Sequence, residues 1–303
     1  MKRNITPVFL AFLLVSGYAQ AYTRGIYITQ STAQNSAKLN ALIAQSKKYG
    51  IDTFVIDLNE KPNRTYTANV KRVIESGVTY VARVVIFPHG GTHAQVTDKR
   101  IWDKRLTLAK YGAELGAKSI QLDYIRYHAE RPGNPEKVKY ILKVVEYFKT
   151  QLKPYNVKLQ MDIFGVAADK PAHTIGQDVS VLASAINAFC PMVYPSHYEP
   201  YREHAVRPYS TVYNSVAALK KQLKDHPEVA VYPYIEVYNY RYKLSHEAKM
   251  QYIASEIKAA KNAGSDGFYV WSPNNHYGPL FEVLARGEKL QASLPAEPSK
   301  HRE

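Results

Sequence analysis

The sequence predicts a protein of the α/β class that forms a single (β/α)8 TIM barrel, and two observations support this. Short runs of β-branched and aromatic residues alternate with longer segments of helical periodicity, and the alternation completes eight times. A chain of 303 residues with 46% hydrophobic content can bury a core of that size. Alternating strands and helices give parallel strands with right-handed crossovers, so eight units favour a closed barrel over an open, doubly wound sheet. No glycine fingerprint for a dinucleotide follows the first strand.

Residues 1–21 are predicted to be a signal peptide. Positive residues near the start precede a short apolar stretch, and Ala19-Gln20-Ala21 has the small-residue pattern of a cleavage site. The apolar stretch is shorter than the roughly 20 residues needed to cross a bilayer. We therefore expect a mature chain that begins at Tyr22, is secreted or periplasmic, and has no integral membrane span after cleavage.

The repeating units place the predicted elements along the chain in a simple order. The expected strands are Gly25–Thr29, Thr53–Leu58, Tyr80–Phe87, Ser119–Asp123, Lys158–Ile163, Ala188–Val193, Val229–Glu236 and Gly267–Trp271. The expected helices are Ser36–Tyr49, Tyr66–Ser76, Lys99–Leu115, Pro135–Leu152, Asp178–Ala185, Val212–Lys224, Ser245–Ala263 and Leu280–Ala285. The barrel domain should span residues 22–290, and the tail 291–303, rich in Pro, Ser and charge, is expected to be disordered.

The chain carries a formal net charge of +14, which favours anionic partners. Its basic residues are spread along the helices and no recognition motif is present, so nucleic acid is not predicted as a partner. Two interpretations stay open, an anionic envelope polymer as partner or a solvated basic surface.

Cys190 is the single cysteine, so no internal disulfide can form. We also expect a monomer.

The fourth and fifth strands end in the best catalytic candidates, Asp123 and Asp162. Both strands carry the spacing Gln-x-Asp, which aims Gln121 with Asp123, and Gln160 with Asp162, at one face. Active sites of these barrels lie at the C-terminal ends of the strands. Glycoside cleavage needs one ionised and one protonated carboxyl group, so we assign Asp123 as nucleophile or base and Asp162 as general acid. The alternative for both is a capping or loop-anchoring role.

The two strand ends leave the stereochemical outcome open. Neighbouring parallel strands lie about 4.8 Å apart. Carboxyl groups on them could therefore have the spacing of about 5–5.5 Å found in retaining glycosidases, or a wider one with different rotamers, as in inverting enzymes.

Glu236, at the end of the seventh strand, is a third candidate acid, with loop anchoring as the alternative. Asp57 could bind a sugar hydroxyl or form a buried ion pair with Arg83.

The sequence is rich in aromatic residues, with 25 Tyr, 9 Phe and 2 Trp. Trp271 ends the last strand and is the best platform for a sugar face. The candidate substrate-binding residues are Asp57, Arg126, Tyr194, His197, Trp271 and Asn274.

No metal or other cofactor is predicted. His89 and His93 are the nearest approach to a metal-binding motif, but their glycine-containing loop fixes no ligand geometry. No cysteine or acidic residue stands at a recognisable spacing from them, and the sequence has neither a nucleophile elbow nor a phosphate loop.

From about Gly25 to Tyr277, the chain resembles a bacterial family of glycoside hydrolase-like barrels, long catalogued as a domain of unknown function and distantly related to α-amylase-like barrels. The resemblance is carried by residues 25–29 (GIYIT), 82–87 (ARVVIF), 121–126 (QLDYIR), 162–167 (DIFGVA), 175–178 (IGQD) and 191–198 (PMVYPSHY). It implies a barrel with carboxylates at strands four and five that acts on a polysaccharide.

The chain departs from the family pattern at two points. Tyr127-His128 stands where Phe-Pro is expected, and Ile235-Glu236-Val237 stands where the family tends to have Gln followed by Asp. Because a shift of one residue along a strand reverses the face of a side chain, Glu236 need not inherit a role from that aspartate.

The leading hypothesis is an exported glycoside hydrolase that acts on a poly- or oligosaccharide, with anionic polymers among the candidates. The main alternative is a glycan-binding barrel without catalysis, retained at the envelope by its basic surface. A third is a metal-dependent hydrolase or deacetylase that uses His89, His93 and an aspartate.

Overall fold

A computed structural model describes residues 22–238 and 240–287. The predicted signal peptide (1–21) and the predicted tail (291–303) lie outside this range. Within it, no helix combines the length and the apolar character that crossing a bilayer requires.

The strands form one closed, parallel ring. Their bounds are β1 Thr23–Ile28, β2 Thr53–Asp57, β3 Thr79–Val85, β4 Ser119–Asp123, β5 Lys158–Phe164, β6 Ala188–Met192, β7 Ala230–Val231, β8 Tyr234–Glu236 and β9 Gly267–Trp271. Each strand from β1 to β6 pairs with the next along the chain, β6 pairs with both β7 and β8, β8 pairs with β9, and β9 pairs with β1 to close the ring. The predicted (β/α)8 barrel is confirmed.

The seventh position of the barrel is shared by β7 and β8. Pro233 separates them, and a proline has no N–H to donate to a sheet ladder. β7 pairs with β6 through Ala188 and Ala230, whereas β8 pairs with β6 and with β9. The single strand predicted here is therefore wrong in its continuity, although both segments lie within its predicted range.

Twelve α-helices lie in the described part of the chain. They are α1 Gln30–Ala33, α2 Ser36–Tyr49, α3 Arg64–Glu75, α4 His93–Thr97, α5 Lys99–Glu114, α6 Glu136–Leu152, α7 Gly165–Asp169, α8 Val179–Leu182, α9 Tyr201–Ala205, α10 Pro208–Gln222, α11 His246–Asn262 and α12 Gly278–Arg286. Short 3-10 helices occupy Lys153–Tyr155, Ala183–Ala185 and Pro195–His197.

Local capping explains why the long helices begin and end where they do. The Asn35 side chain accepts a hydrogen bond from the backbone N–H of Lys38 at 3.0 Å, and α2 ends at Gly50, whose φ of 73° is the left-handed conformation that suits a helix end. Asn63 caps α3 in the same way, so that helix begins at Arg64, two residues before its predicted start.

Two apolar layers hold the barrel together. One fills the space between the strands and the surrounding helices, and the other fills the barrel interior with Tyr27, Val55, Val81, Tyr234 and Tyr269 among its members. Gly25 makes room for the interior layer, because a Cβ atom there would lie 2.4 Å from the Tyr269 ring.

Candidate active site

Four charged side chains meet at the C-terminal ends of β2 to β5. Strand pairing sets Asp57 beside Arg83 and places Asp123 two residues beyond the partner of Arg83. Arg83 forms ion pairs with Asp57 through Nη1 and with Asp123 through Nη2, and its Nε lies 3.5 Å from Asp162 Oδ2. One buried guanidinium therefore contacts three buried carboxyl groups, including both of the leading catalytic candidates.

The environments of Asp123 and Asp162 differ. Burial and the negative charge of Asp123 raise the pKa of Asp162 well above its usual range, although Arg83 opposes this shift. Asp162 Oδ1 has no hydrogen-bond partner in the described part of the chain. Asp123 is held by the Arg83 guanidinium and by the backbone N–H of Tyr124 at 2.6 Å, both of which stabilise a carboxylate. Asp162 is thus the member of the pair suited to carry a proton.

Tyr124 has an unusual backbone that serves this site. Its φ of 50° lies in the left-handed region, which is uncommon for a residue with a side chain. In this conformation its N–H reaches back to Asp123 and its ring joins the wall of the cavity described next. Strained backbone of this kind tends to cluster at functional sites.

Asp123 and Asp162 open into a cavity of about 600 Å³ at the barrel mouth. Its other lining residues are Arg83, Tyr124, Phe164, Gly165, Val166, Asp169, Met192, Tyr194, His197, Tyr198, Glu199, Tyr234, Tyr238 and Trp271. Aromatic rings with a few convergent polar groups are typical of a small-molecule or sugar site.

Trp271 forms a fixed part of this wall. Its ring stacks on Tyr27 with centroids 4.0 Å apart and planes at 26°, and the Arg83 guanidinium carbon lies 5.3 Å from its centroid. These contacts fix the ring orientation at the cavity wall, and the use of Trp271 as a platform for a sugar face stays a prediction.

A hydrogen-bonded layer supports the two aspartates from below. Gln121 donates to Gln160 Oε1 at 3.1 Å and accepts from Tyr234 at 2.8 Å, and Tyr269 donates to Gln160 at 3.2 Å. The Gln-x-Asp spacing of both strands thus puts an amide in the barrel interior and a carboxyl group at its mouth. A well-connected layer of this kind keeps strand ends in place.

The structure brings Tyr194, His197 and Trp271 to the cavity with Asp123 and Asp162, but not the other candidates. Asp57 binds Arg83 and accepts a hydrogen bond from Tyr27, so the ion pair weighed as its alternative role is present. Arg126 donates to the backbone oxygen of Tyr127 and stacks over Phe164. Asn274 is exposed and is absent from the lining. Substrate binding by Asp57, Arg126 and Asn274 stays a prediction.

Glu236 is buried but does not line the cavity. Its Oε1 accepts from the Ser196 backbone N–H at 2.9 Å and from Tyr252 at 3.2 Å, and its Oε2 accepts from the Ser196 hydroxyl at 2.7 Å. Arg241 donates to the carbonyl of the same Ser196 at 2.7 Å. These contacts fit the loop-anchoring interpretation, because the anchored loop carries Tyr194 and His197 of the cavity wall. A catalytic role for Glu236 stays a prediction.

Sequence reasoning missed several residues of this site. It considered Arg83 only as a partner of Asp57, whereas Arg83 also contacts Asp123 and Asp162. One feature of the sequence could have indicated these contacts. Arg83 is a charged residue inside the apolar run of β3, and a charged residue buried in a strand needs partners of opposite charge. Asp169 ends the short helix α7 and Tyr238 lies on the loop after β8, and strand periodicity reports the course of neither segment.

The two histidines weighed as metal ligands lie apart from any acidic cluster. His93 Nδ1 is 3.2 Å from the hydroxyl of Tyr127, and the His89 ring is 6.5 Å from that of Tyr124. Among residues 22–238 and 240–287, no group of three or more His, Cys, Asp or Glu side chains is arranged to hold a metal ion.

A second large cavity, of about 920 Å³, lies at the other end of the barrel near Lys118, Lys158 and Glu228. It is larger than the mouth cavity but contains none of the aspartates bound to Arg83. In barrels of this type the N-terminal end contributes stability, so the smaller mouth cavity is the better candidate.

Comparison with known proteins identifies the family. Residues 89–277, more than half of the chain, match the sequence model of a family described as "Putative glycosyl hydrolase domain". The chain belongs to this glycosyl hydrolase family. The matched range contains Asp123, Asp162 and Trp271, whereas Asp57 and Arg83 precede it. No curated protein matches the chain significantly.

Solved structures share the fold at low identity. A class V chitinase from Pseudomonas fluorescens Pf-5 superposes with a TM-score of 0.62 at 12% identity, over 88% of this chain and 100% of that one. An endo-beta-1,4-mannanase from Thermotoga petrophila also gives 0.62 at 12%, over 92% and 79%. The spore cortex-lytic enzyme SleL of Bacillus megaterium QM B1551 gives 0.60 at 10%, over 87% and 73%. Likeness at this level concerns the barrel fold.

Proposed function

We propose that this protein is an exported glycoside hydrolase that cleaves a polysaccharide with Asp123 and Asp162. One observation carries the proposal: the same buried guanidinium contacts both carboxyl groups at the wall of one cavity, while their surroundings differ. Hydrolysis of a glycosidic bond requires this inequality, because one group must give a proton and the other must act as an anion.

In the proposed mechanism, a sugar ring rests against Trp271 with its glycosidic oxygen near Asp162. Asp162 donates its proton to that oxygen as the bond to the anomeric carbon breaks. Asp123, which pairs with Arg83 and accepts the Tyr124 N–H, acts as the anion and either attacks the anomeric carbon or takes a proton from the attacking water. Arg83 stays charged and limits the repulsion between the two acids during the reaction.

The central test is Asp123→Asn, which keeps the shape of the side chain and removes its charge. We expect hydrolysis to fall by about 10²–10⁴-fold, the usual contribution of a catalytic carboxylate acting as base. Release of reducing ends should be measured on chitin, β-1,4-mannan, spore cortex and acidic polysaccharides. The first three are the materials indicated by the names of the solved neighbours.

The matched control is Asp225→Asn, an exposed aspartate whose contact to Lys224 is 3.9 Å long. It should retain full activity. Far-UV circular dichroism should show both variants folded, since removal of one of three negative groups around Arg83 reduces repulsion. Full activity of Asp123→Asn on a polymer that the parent cleaves would remove Asp123 from the mechanism.

A glycan-binding barrel without catalysis is the second candidate, and one observation favours it. Both carboxylate oxygens of Asp123 already have partners, Arg83 and the Tyr124 N–H, as in a purely structural ion pair. Binding of a polymer without any release of reducing ends across the same panel would support this candidate.

Export is part of the proposal and rests on the pattern of residues 1–21. Expression of the full chain in a bacterial host, followed by cell fractionation and mass spectrometry, should give a periplasmic or secreted protein that begins at Tyr22. A cytoplasmic protein that retains Met1 would contradict it.

A further inference from the structure

A smaller cavity adjoins the mouth cavity on the side of α7, α9 and α10. Its volume is about 200 Å³, and it shares Asp169 and Tyr198 with the larger cavity. Its remaining polar lining includes Glu203 and His204 of α9, Arg207 and Asn214. We refer to it below as the side pocket.

The boundary between the two cavities is held in a fixed position. The Tyr198 hydroxyl lies 2.9 Å from the Ser215 hydroxyl, which in turn donates to Asp169 Oδ1 at 2.5 Å. Residue 165 is a glycine, and a Cβ atom there would lie only 2.0 Å from the Tyr198 hydroxyl oxygen. Tyr198 is thus packed against the start of α7 and cannot swing freely, so the boundary that the two cavities share is part of the folded structure.

The side pocket offers the chemistry of a sugar site. Its donors are Arg207 and the His204 ring, and its acceptors are the carboxylates of Asp169 and Glu203. The rings of Tyr198 and His204 lie 5.5 Å apart and can contact the C–H face of a pyranose. Two carboxylates beside one guanidinium give no excess of positive charge, which favours a neutral, hydroxyl-rich sugar over an acidic one.

We propose that the side pocket is a second sugar subsite, so that a neutral chain of several residues lies across both cavities. The inference rests on the proposed function and deepens it. It changes the sequence-based expectation, because the +14 net charge had placed anionic polymers among the substrates. It also predicts that affinity increases with chain length until the side pocket is filled.

The test is Asn214→Trp, a substitution on the surface of α10 that fills the side pocket without touching the two catalytic candidates. The probes are chitohexaose and 1,4-β-mannohexaose, with the corresponding disaccharides, in isothermal titration calorimetry on the Asp123→Asn background. We expect one hexaose to bind at least about tenfold more tightly than its disaccharide, a difference of about 1.4 kcal/mol. Asn214→Trp should remove that advantage and leave disaccharide binding unchanged.

Tyr213→Trp is the matched control, because Tyr213 is exposed on the same helix and is not among the side-pocket residues. It should bind both lengths as the parent does. Equal weakening of both lengths by Asn214→Trp, no weakening at all, or no binding of either hexaose would overturn the subsite. Tighter binding of an oligogalacturonate would overturn its neutral character. Length-dependent binding on this background, together with no hydrolysis of the same hexaose by the protein with Asp123 intact, would retain the subsite and reject only the hydrolase.

Discussion

Two groups of buried carboxyl side chains lie close to the barrel mouth, and they differ in what neutralises them. Asp57, Asp123 and Asp162 surround the guanidinium of Arg83. Glu236 and Glu256 lie together between β8 and α11, where Glu256 Oε1 accepts the backbone N–H of Glu236 and no described cation forms an ion pair with either.

The comparison shows that burial raises the pKa of one carboxyl group beside Arg83, that of Asp162, as it does in the Glu236 pair, but gives the two groups different uses. Burial raises the pKa of Glu236 to about 7, against the lowering effect of its bonds to Ser196, and also raises the pKa of Glu256. The Arg83 group borders a cavity, whereas Glu236 is enclosed by the loop it anchors. A raised pKa therefore indicates a catalytic acid only where a substrate can reach the proton.

The largest expected effect comes from Arg83→Met, which leaves three buried carboxyl groups without a cation. We expect a loss of about 3–5 kcal/mol in the free energy of unfolding at pH 7, measured by urea denaturation.

Arg100→Met is the control for that variant. Arg100 is exposed and pairs with Asp98 on the surface, so its removal should leave the unfolding midpoint unchanged. A similar midpoint for Arg83→Met and the parent would show that the aspartates do not depend on the guanidinium.

Asp162→Asn sharpens the assignment of the proton donor. Hydrolysis of the natural glycan should fall by about 10²–10⁴-fold, because the leaving oxygen no longer receives a proton. The kcat/KM for a dinitrophenyl glycoside of the same sugar should stay close to that of the parent, since dinitrophenolate leaves without a proton.

The same pair of substrates distinguishes the two aspartates. Asp123→Asn should be impaired on both the glycan and the dinitrophenyl glycoside, because the anion is needed in either case. Equal losses on both substrates for Asp162→Asn would reject its role as the acid.

The smallest effect is expected from Glu236→Gln. The folded protein holds a proton on Glu236 up to about pH 7, whereas an unfolded chain releases it near pH 4.3. Between these values the folded state binds more protons, so stability falls as pH rises. Glu236→Gln should weaken this dependence by roughly 3 kcal/mol between pH 4 and pH 8, and change kcat less than tenfold.

Urea denaturation at several pH values would measure this effect, with Glu75→Gln on the exposed face of α3 as control. Glu256 titrates in the same buried pair, facing Tyr252 and Tyr240, so part of the dependence should persist. A loss of kcat as large as that of Asp162→Asn would restore Glu236 as a catalytic candidate.

The position of the two aspartates could be predicted from the sequence because it depends on local geometry alone. Side chains alternate along a strand, and two adjacent parallel strands with the same Gln-x-Asp spacing present their acids at the same end. Glu236 could not be treated in this way. β8 has only three residues after Pro233, and the direction of the Glu236 side chain depends on Ser196 and Tyr252, which are distant in sequence.

The polar residues after the last strand also have side-chain directions that the local sequence does not determine. Asn274 was predicted to bind substrate, but it is exposed, whereas its neighbour Asn275 is buried and bonds to Tyr27 and Thr29. A φ of 55° at Asn275 turns the chain here. Strand periodicity carries no information on such a turn.

The sequence by itself determined the eightfold alternation, the barrel that follows from it, and the end of the barrel at which two acids meet, because these depend on periods of a few residues. The tertiary structure alone decided that one arginine contacts three aspartates, that Glu236 anchors a loop, and that a side pocket extends the mouth. Those features join segments far apart in the chain, where packing and charge neutralisation select the contacts.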